Sequence, residues 1–306
     1  MDTPPYFSII LTTHNRSSLV KRAINSVLTQ SFTNFELIVI NDNSQDNTMN
    51  ILNSIVDHNV TIINNSSNQG MNESRNIGLN IAKGKYVLYL DDDDEFTKNA
   101  FKKIHITTVN NCKYKIFTYS MIMENNKLTD YSVSKKELLT YELALCKLNN
   151  RGDRYYIFNK NVMKKIDPKS RGLSIFMLEL LTKYDALEFP IVVYKVHRMH
   201  KYKRMSDYTH QLKTIRNKIY YSKKLLMLFG EDIKMLCLKD YIKILNYIAL
   251  NYMIMGDKGQ ARKYLKYALT SYKNIHTMVL YLLCSIPTKL FIIFNIIREN
   301  IGYINR

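Results

Sequence analysis

Tryptophan is absent from the 306 residues, proline and glycine number only 5 and 9, and the four cysteines, Cys112, Cys146, Cys237 and Cys284, stand far apart. No CxxC pair occurs, which argues against a zinc ribbon, a thioredoxin-type site or a disulfide scaffold. Cysteine usage of this kind suits a reducing compartment. Glycine-rich phosphate cradles are missing as well. No GxGxxG follows the first apolar run and no GxxxxGK(S/T) occurs anywhere, so neither a dinucleotide cofactor nor a P-loop nucleotide is expected. The opening Met1-Asp2-Thr3-Pro4-Pro5 has neither the basic nor the apolar region of a secretory signal. Hydrophobic residues at 46% and charged residues at 23% argue against wholesale disorder.

Positive charge is scarce in the first 110 residues, which hold 9 Lys/Arg against 11 Asp/Glu; residues 111–306 hold 35 against 15. The net charge of +18 therefore resides entirely in the last two thirds. Such asymmetry points to a polyanionic partner, whether nucleic acid, an anionic membrane or a phosphorylated substrate. A lysine- and asparagine-rich genome is the bland alternative, although it would not spare the first 110 residues.

What is present there is alternation. Phe7 to Leu11, Phe35 to Ile40, Val60 to Ile63 and Tyr86 to Leu90 are short apolar runs that read as buried strands. Between them, Leu19, Val20, Ala23, Ile24, Val27 and Leu28 form one helical face, Met49, Ile51, Leu52, Ile55 and Val56 another, and Gly70 to Ala82 a third helix. Strand and helix in short alternating units imply parallel crossovers and a doubly wound sheet, whose ligands bind at the carboxyl ends of the strands. Polar residues cluster at those ends: Thr12 to Arg16, Asn41 to Asp46, and Asp91 to Asp94. Five adjacent carboxylates, Asp91 to Glu95, repel one another unless a cation sits among them. They offer hard oxygen ligands for Mg²⁺ or Mn²⁺; a solvated acidic turn is the alternative.

Four segments in order resemble family 2 glycosyltransferases of the GT-A fold, of the bacterial O-antigen and capsule type. Phe7 to Arg16 resembles "VSVIIPTYNR", Ser26 to Gln30 "SVLxQ", and Glu36 to Thr48 "EIIVVDDGSxDxT". Asn68 to Asp94 resembles "NxGxxxARNxGxxxAxGxYxxxLDxDD". The resemblance implies a mixed, mainly parallel α/β sheet with helices on both faces. It further implies an inverting, metal-dependent hexosyl- or N-acetylhexosaminyltransferase using a UDP-linked donor and Mn²⁺ or Mg²⁺. By position, Thr13 and His14 would contact uracil, with Arg16 beside them. Asp42 would accept from the base, Arg75 would meet the diphosphate, Asp92 the ribose or sugar, and Asp93 with Asp91 the metal. The alternative for Asp42 is a structural one, although Ser44 or Asp46 could equally cap the next helix; for Arg75 it is an ion pair with Glu73 or Asp91.

The resemblance thins at the general base. A Glu-Asp pair expected on a helix ahead of a "YYYR" strand is replaced by Arg171-Gly172-Leu173, with the later strand read at Ile191 to Arg198. Asp167 and Glu179 are the candidate bases, Asp153 a more distant one, and His197 and His200 could assist the metal or diphosphate or simply be surface or packed histidines.

Residues 1–205 are read as the catalytic domain, with 1–110 the nucleotide-sugar half and 111–205 the acceptor half. Residues 206–306 are read as a basic, helical, membrane-associating region. There Gly230 marks a helix stop, Tyr241 to Met255 and Gly259 to Tyr272 are helices, and Met278 to Ile297 forms two short apolar helices around Pro287. These would lie on an anionic membrane, pack on the catalytic domain, or form a dimer seam. The expected partners are a nucleotide-sugar and a saccharide or lipid-linked acceptor, the expected location the cytoplasmic face of the plasma membrane. The rival readings are a non-catalytic UDP-sugar-binding scaffold and a nucleic-acid-binding protein.

Overall fold

The computed structural model describes residues 3–129, 133–146, 154–169, 174–197 and 208–287. The chain divides into two compact units, residues 1–201 and 202–306.

The first unit opens with the expected alternation: β1 (Phe7–Thr13), α1 (Ser17–Leu28), β2 (Phe35–Asn41), α2 (Thr48–Asn53), β3 (Val60–Asn64), α3 (Met71–Ile81) and β4 (Tyr86–Asp91). It continues through β5 (Glu95–Phe96), α4 (Ala100–Asn110), β6 (Ile116–Met123), β7 (Glu137–Leu139), α5 (Tyr141–Cys146), β8 (Tyr155–Asn159), α6 (Ser174–Leu181) and β9 (Ala186–Val196). One sheet runs in the order β3-β2-β1-β4-β8-β6-β9-β5, with β7 also paired to β9. The first four strands are parallel, whereas β8 runs antiparallel to both β4 and β6. This is the mixed, mainly parallel sheet that the resemblance implied.

Every residue of β1 is buried because helices cover both faces. Phe7, Ile9 and Leu11 join Val20, Ala23, Ile24 and Val27 of α1 with Phe101 and Ile104 of α4 in one core. Ile10, pointing the other way, joins Leu79 of α3 with Phe176, Met177 and Leu180 of α6 in the second. The register levels the carboxyl ends: Thr13 pairs with Asn41, Thr12 with Asp91, and Asn41 with Asn64. The polar residues that follow these strands therefore share one rim.

Gly84 lies in a crowded turn at the opposite end. Its N–H donates to Ser8 Oγ at 2.7 Å, and a Cβ there would stand 2.5 Å from the Ser8 backbone nitrogen. Gly84→Ala is expected to destabilise the fold by about 2 kcal/mol, read as a lowered urea midpoint at unchanged m-value.

The last strand starts earlier than its sequence suggests. β9 runs from Ala186 through Pro190, where its pairing with β6 slips between Tyr119 and Met121. Proline cannot donate to the ladder and is tolerated at such an irregularity.

The second unit contains α7 (Tyr208–Leu236), α8 (Leu238–Ile254), α9 (Lys258–Ser271) and α10 (Ile275–Leu283). Gly230 does not stop α7, which continues to Leu236. A mid-helix glycine costs only about 1 kcal/mol, and buried Phe229 and Ile233 keep the helix packed across it. Asp257 caps α9 and Asn274 caps α10 by accepting from the N–H groups of Gln260 and Thr277. Ala249, Met253, Ala261, Leu265 and Leu280 form this unit's core. The opposite side of α10 exposes Ile275, Met278, Val279 and Leu282 at helical spacing. No described helix is long and apolar enough to cross a membrane. The second apolar stretch, 288–297, lies outside the described residues.

Candidate functional site

Two loops build the rim above β1 and β2, and they are stitched together. Asn15 N–H donates to Ser44 Oγ at 2.9 Å, and Gln45 N–H to Asn15 Oδ1 at 2.7 Å. Arg16 N–H donates to Thr48 Oγ1 at 3.0 Å, and Ser17 N–H to Asp46 Oδ2 at 3.1 Å. Asn15 and Asn43 adopt positive φ, which asparagine tolerates better than most residues. His14 is held here, its Nδ1 2.8 Å from the carbonyl of Asp42 and its Nε2 3.1 Å from Asn15 Nδ2.

Asp42 is buried, and its carboxylate faces the loop ahead of α3. It accepts at 2.8 Å from Asn65 Nδ2, Gln69 N–H and Gly70 N–H. It is therefore a clamp that fixes the entry to the helix bearing Arg75. It does not cap α2, where Asp46 instead accepts from the Thr48 N–H at 2.9 Å.

Arg75, buried on α3, donates to Asp91 Oδ1 at 2.6 Å and lies 5.2 Å above the Tyr89 ring. The acidic residues then form a turn in which Asp94 N–H returns to the Asp91 carbonyl at 3.1 Å. Arg22 donates from α1 to the carbonyl of Asp93. Arg16 Nε stands 4.0 Å from Asp92 Oδ1. Burial pushes the Asp92 carboxyl up to about 7; the Thr13 hydroxyl opposes this, Asp93 adds to it, Arg16 opposes and Asp91 adds. Between about pH 4 and about pH 7 the folded, metal-free chain thus binds more protons at Asp92 than the unfolded chain, and stability falls as pH rises through that window. Asp92→Asn is expected to flatten this slope in urea titrations across the window.

The far end of the turn is tied to the last strand. Asp94 accepts from the His197 N–H at 2.8 Å, and Glu95 Oε1 lies 2.9 Å from His197 Nε2. Glu124 Oε1 lies 3.5 Å from the other ring nitrogen. His197 is thus engaged by carboxylates on both sides. Tyr155 and Tyr194 stack at 4.4 Å beneath the turn, the first donating to the Tyr89 carbonyl and the second accepting from Asp91 N–H.

Among the described residues no three His, Cys, Asp or Glu side chains are arranged to hold a metal. Asp91 and Asp93 nevertheless have the donor chemistry for Mg²⁺ or Mn²⁺, which bind through one or two carboxylates, water and substrate phosphates. Burial is the main cause of the raised Asp92 carboxyl, and the smaller share that Asp93 and Asp91 add is what a divalent cation would relieve.

The candidate bases lie on the α6 side. The Asp167 carbonyl accepts from Asn72 Nδ2 at 3.1 Å, one turn before Arg75 on α3. Its carboxylate accepts from the Lys169 N–H at 2.9 Å. Asn76 brackets the preceding residue, donating to and accepting from the Ile166 backbone at 2.8 Å. Glu179 pairs with Lys164 at 2.7 Å. Asp153, His200 and 171–173 lie outside the described residues. Thr13, His14, Arg16, Asp42, Arg75 and Asp91 to Asp93 share the rim, whereas no hydrogen bond or ion pair described here joins Glu179 to it. The sequence reading missed Asn65, Arg22, Tyr155 and Glu124, each remote in sequence from the residue it supports.

The model of the family Glycosyl transferase family 2 matches residues 8–175. A Campylobacter jejuni GalNAc(5)-diNAcBac-PP-undecaprenol beta-1,3-glucosyltransferase is 29% identical over 173 residues, 52% of this chain and 53% of that one. The Escherichia coli UDP-Glc:alpha-D-GlcNAc-diphosphoundecaprenol beta-1,3-glucosyltransferase WfaP is 36% identical over 99 residues, 32% of this chain and 39% of that one. The chain spans about half the length, or less, of these curated relatives. Among solved structures, S. aureus TarS 1-349 in complex with UDP-GlcNAc superposes with a TM-score of 0.60 at 17% identity, covering 90% of this chain and 83% of TarS.

Proposed function

This chain belongs to glycosyl transferase family 2, and from that premise we propose that it moves a sugar from a UDP-linked donor to a saccharide or lipid-linked acceptor in bacterial surface polysaccharide synthesis, with inversion at the anomeric carbon. The observation that carries the reading is the convergence on one rim of Asp42, Arg75 and the Asp91–Asp93 carboxylates, at strand ends levelled by the register. The relatives' names support it, one giving UDP-Glc as donor and both naming undecaprenol-linked substrates.

In this reading residues 1–110 hold the nucleotide and 111–205 the acceptor. Thr13, His14 and Arg16 flank the base, and the Asp42 clamp fixes the loop beside it. Arg75 meets the diphosphate, Asp92 the ribose or sugar, and Asp91 and Asp93 would hold Mn²⁺ or Mg²⁺. The ion, when bound, neutralises charge on the leaving diphosphate. Arg75 supplies the same service from a buried, preorganised position, where such stabilisation is strongest. Asp167 takes the acceptor hydroxyl proton, with Glu179 the alternative; general-base assistance of this kind contributes about 10²–10⁴-fold. The exposed apolar side of α10 and the neighbouring basic residues face an anionic membrane carrying the acceptor.

The test is thermal unfolding with UDP, with Mn²⁺, and with both. Ligand at about 100 times its Kd stabilises by about 2.7 kcal/mol, so a clear rise in Tm is expected only with both. No rise with any combination would overturn the UDP–metal reading. A rise without turnover on any donor and acceptor pair would favour the non-catalytic scaffold, whose motive is Arg171-Gly172-Leu173 standing where the Glu-Asp pair is expected.

A further inference from the structure

On the α1 side of the sheet a cavity of about 670 Å³ opens between α1 and β5, with Lys21, Arg22, Asn25, Glu95, Phe96 and Lys98 in its wall. Three cations meet there and a single carboxylate, and that carboxylate is taken. Glu95 lies 2.9 Å from His197 Nε2 and 3.6 Å from Lys195 Nζ. Lys21, Arg22 and Lys98 form no ion pair with any described residue. The two lysines are exposed, whereas Arg22 is held: it donates to the Asp93 carbonyl, and its Nε is buried without a hydrogen-bond partner. A buried guanidinium N–H without an acceptor costs free energy that an incoming acceptor would recover. The groove is thus positively charged, incomplete at one buried donor, and large enough for a small anionic group.

We infer that this groove binds a phosphate group. Three unneutralised positive charges exceed what a single carboxylate would balance. Arginine's planar fork and two flanking lysines suit tetrahedral oxyanions carrying more than one charge. Arg75, which would meet the donor diphosphate, sits on α3 on the other side of the sheet, while the groove borders the acidic turn through Arg22 and the Asp93 carbonyl. Its role rests on the transfer reaction proposed above: the phosphate is that of the acceptor, anchored while its sugar end reaches the acidic turn. The same guanidinium touches both places, so an anion that engages Arg22 also bears on the backbone of Asp93.

Calorimetric titration of the full chain with inorganic pyrophosphate, in EDTA so that no metal bridges it, tests the inference. Saturable binding is expected, weakened about tenfold or more by Arg22→Gln and by the double variant Lys21→Gln/Lys98→Gln. The double variant alters only exposed lysines and remains informative where Arg22→Gln disturbs the acidic turn. The titrations are repeated in an Arg75→Gln background, which removes the donor-side cation, and the binding that depends on Arg22, Lys21 and Lys98 is expected to persist there. The inference is overturned by any of four results: no binding up to about 10 mM, wild-type affinity in both groove variants, a groove-variant effect that disappears in the Arg75→Gln background, or equal affinity for acetate. Failure of the UDP and Mn²⁺ experiment with pyrophosphate binding intact would sink the donor reading and leave the groove standing.

Discussion

Asp93→Asn is expected to lower sugar transfer by about 10²–10³-fold, the usual cost of removing one preorganised stabiliser of developing charge. The reason is positional. The acidic turn is held by contacts that do not involve the Asp93 carboxylate: Asp94 N–H on the Asp91 carbonyl, His197 N–H on the Asp94 carboxylate, and the Arg22 guanidinium on the carbonyl of residue 93. Only the carboxylate assigned to the metal is lost. The variant should keep its circular dichroism and lose the stabilisation that UDP gains from Mn²⁺. Equal Mn²⁺-dependent stabilisation by UDP in variant and wild type would remove Asp93 from the metal site. Transfer that survives at the wild-type rate would remove it from the chemistry.

Asp42→Ala is expected to act on the fold and the site together. Its carboxylate serves three donors that lie 23 to 28 residues ahead. Alanine leaves them without an acceptor, at about 1–3 kcal/mol for each one that water cannot reach. Gln69 and Gly70 are accessible at the surface while Asn65 is buried, so the total expected is about 2–4 kcal/mol, measured by urea unfolding. Asp42→Asn keeps one oxygen but turns an amide N–H₂ toward a backbone N–H, and an intermediate loss follows. Both variants loosen the loop that leads into α3, so UDP affinity should fall with stability. A variant with native stability and weakened UDP binding would instead mean that Asp42 contacts the base directly.

The first half of the sheet is legible in the sequence because buried parallel strands are continuous apolar runs, and Phe7 to Leu11 or Tyr86 to Leu90 cannot be mistaken for solvated segments. The rim follows from it, since polar residues directly after such runs must surface at the strand ends. Legibility fails where tertiary context overrules a local signal. Pro190 hides the first half of β9, because proline reads as a break unless the neighbouring strand slips to accommodate it. Gly230 reads as a stop, yet Phe229 and Ile233 bury the same helix on both sides of it. In the site, the motif places Asp42 and Arg75 but not their partners. Nothing local shows that the Asp42 carboxylate is filled by its own chain. Nor does anything near residue 94 show that the turn's anchor comes from residue 197.

That anchor bears on how the protein comes off the ribosome. The segment recognised as the family ends at residue 175, and by then every carboxylate of the acidic turn has been synthesised. Glu95 and Phe96, however, pair with Lys195 and Tyr194, and Tyr194 also supports Asp91 from below. A nascent chain halted at residue 175 holds the complete motif with its outer end unmoored. Synthesis of β9, rather than any change within the motif, is the step that finishes the acidic turn.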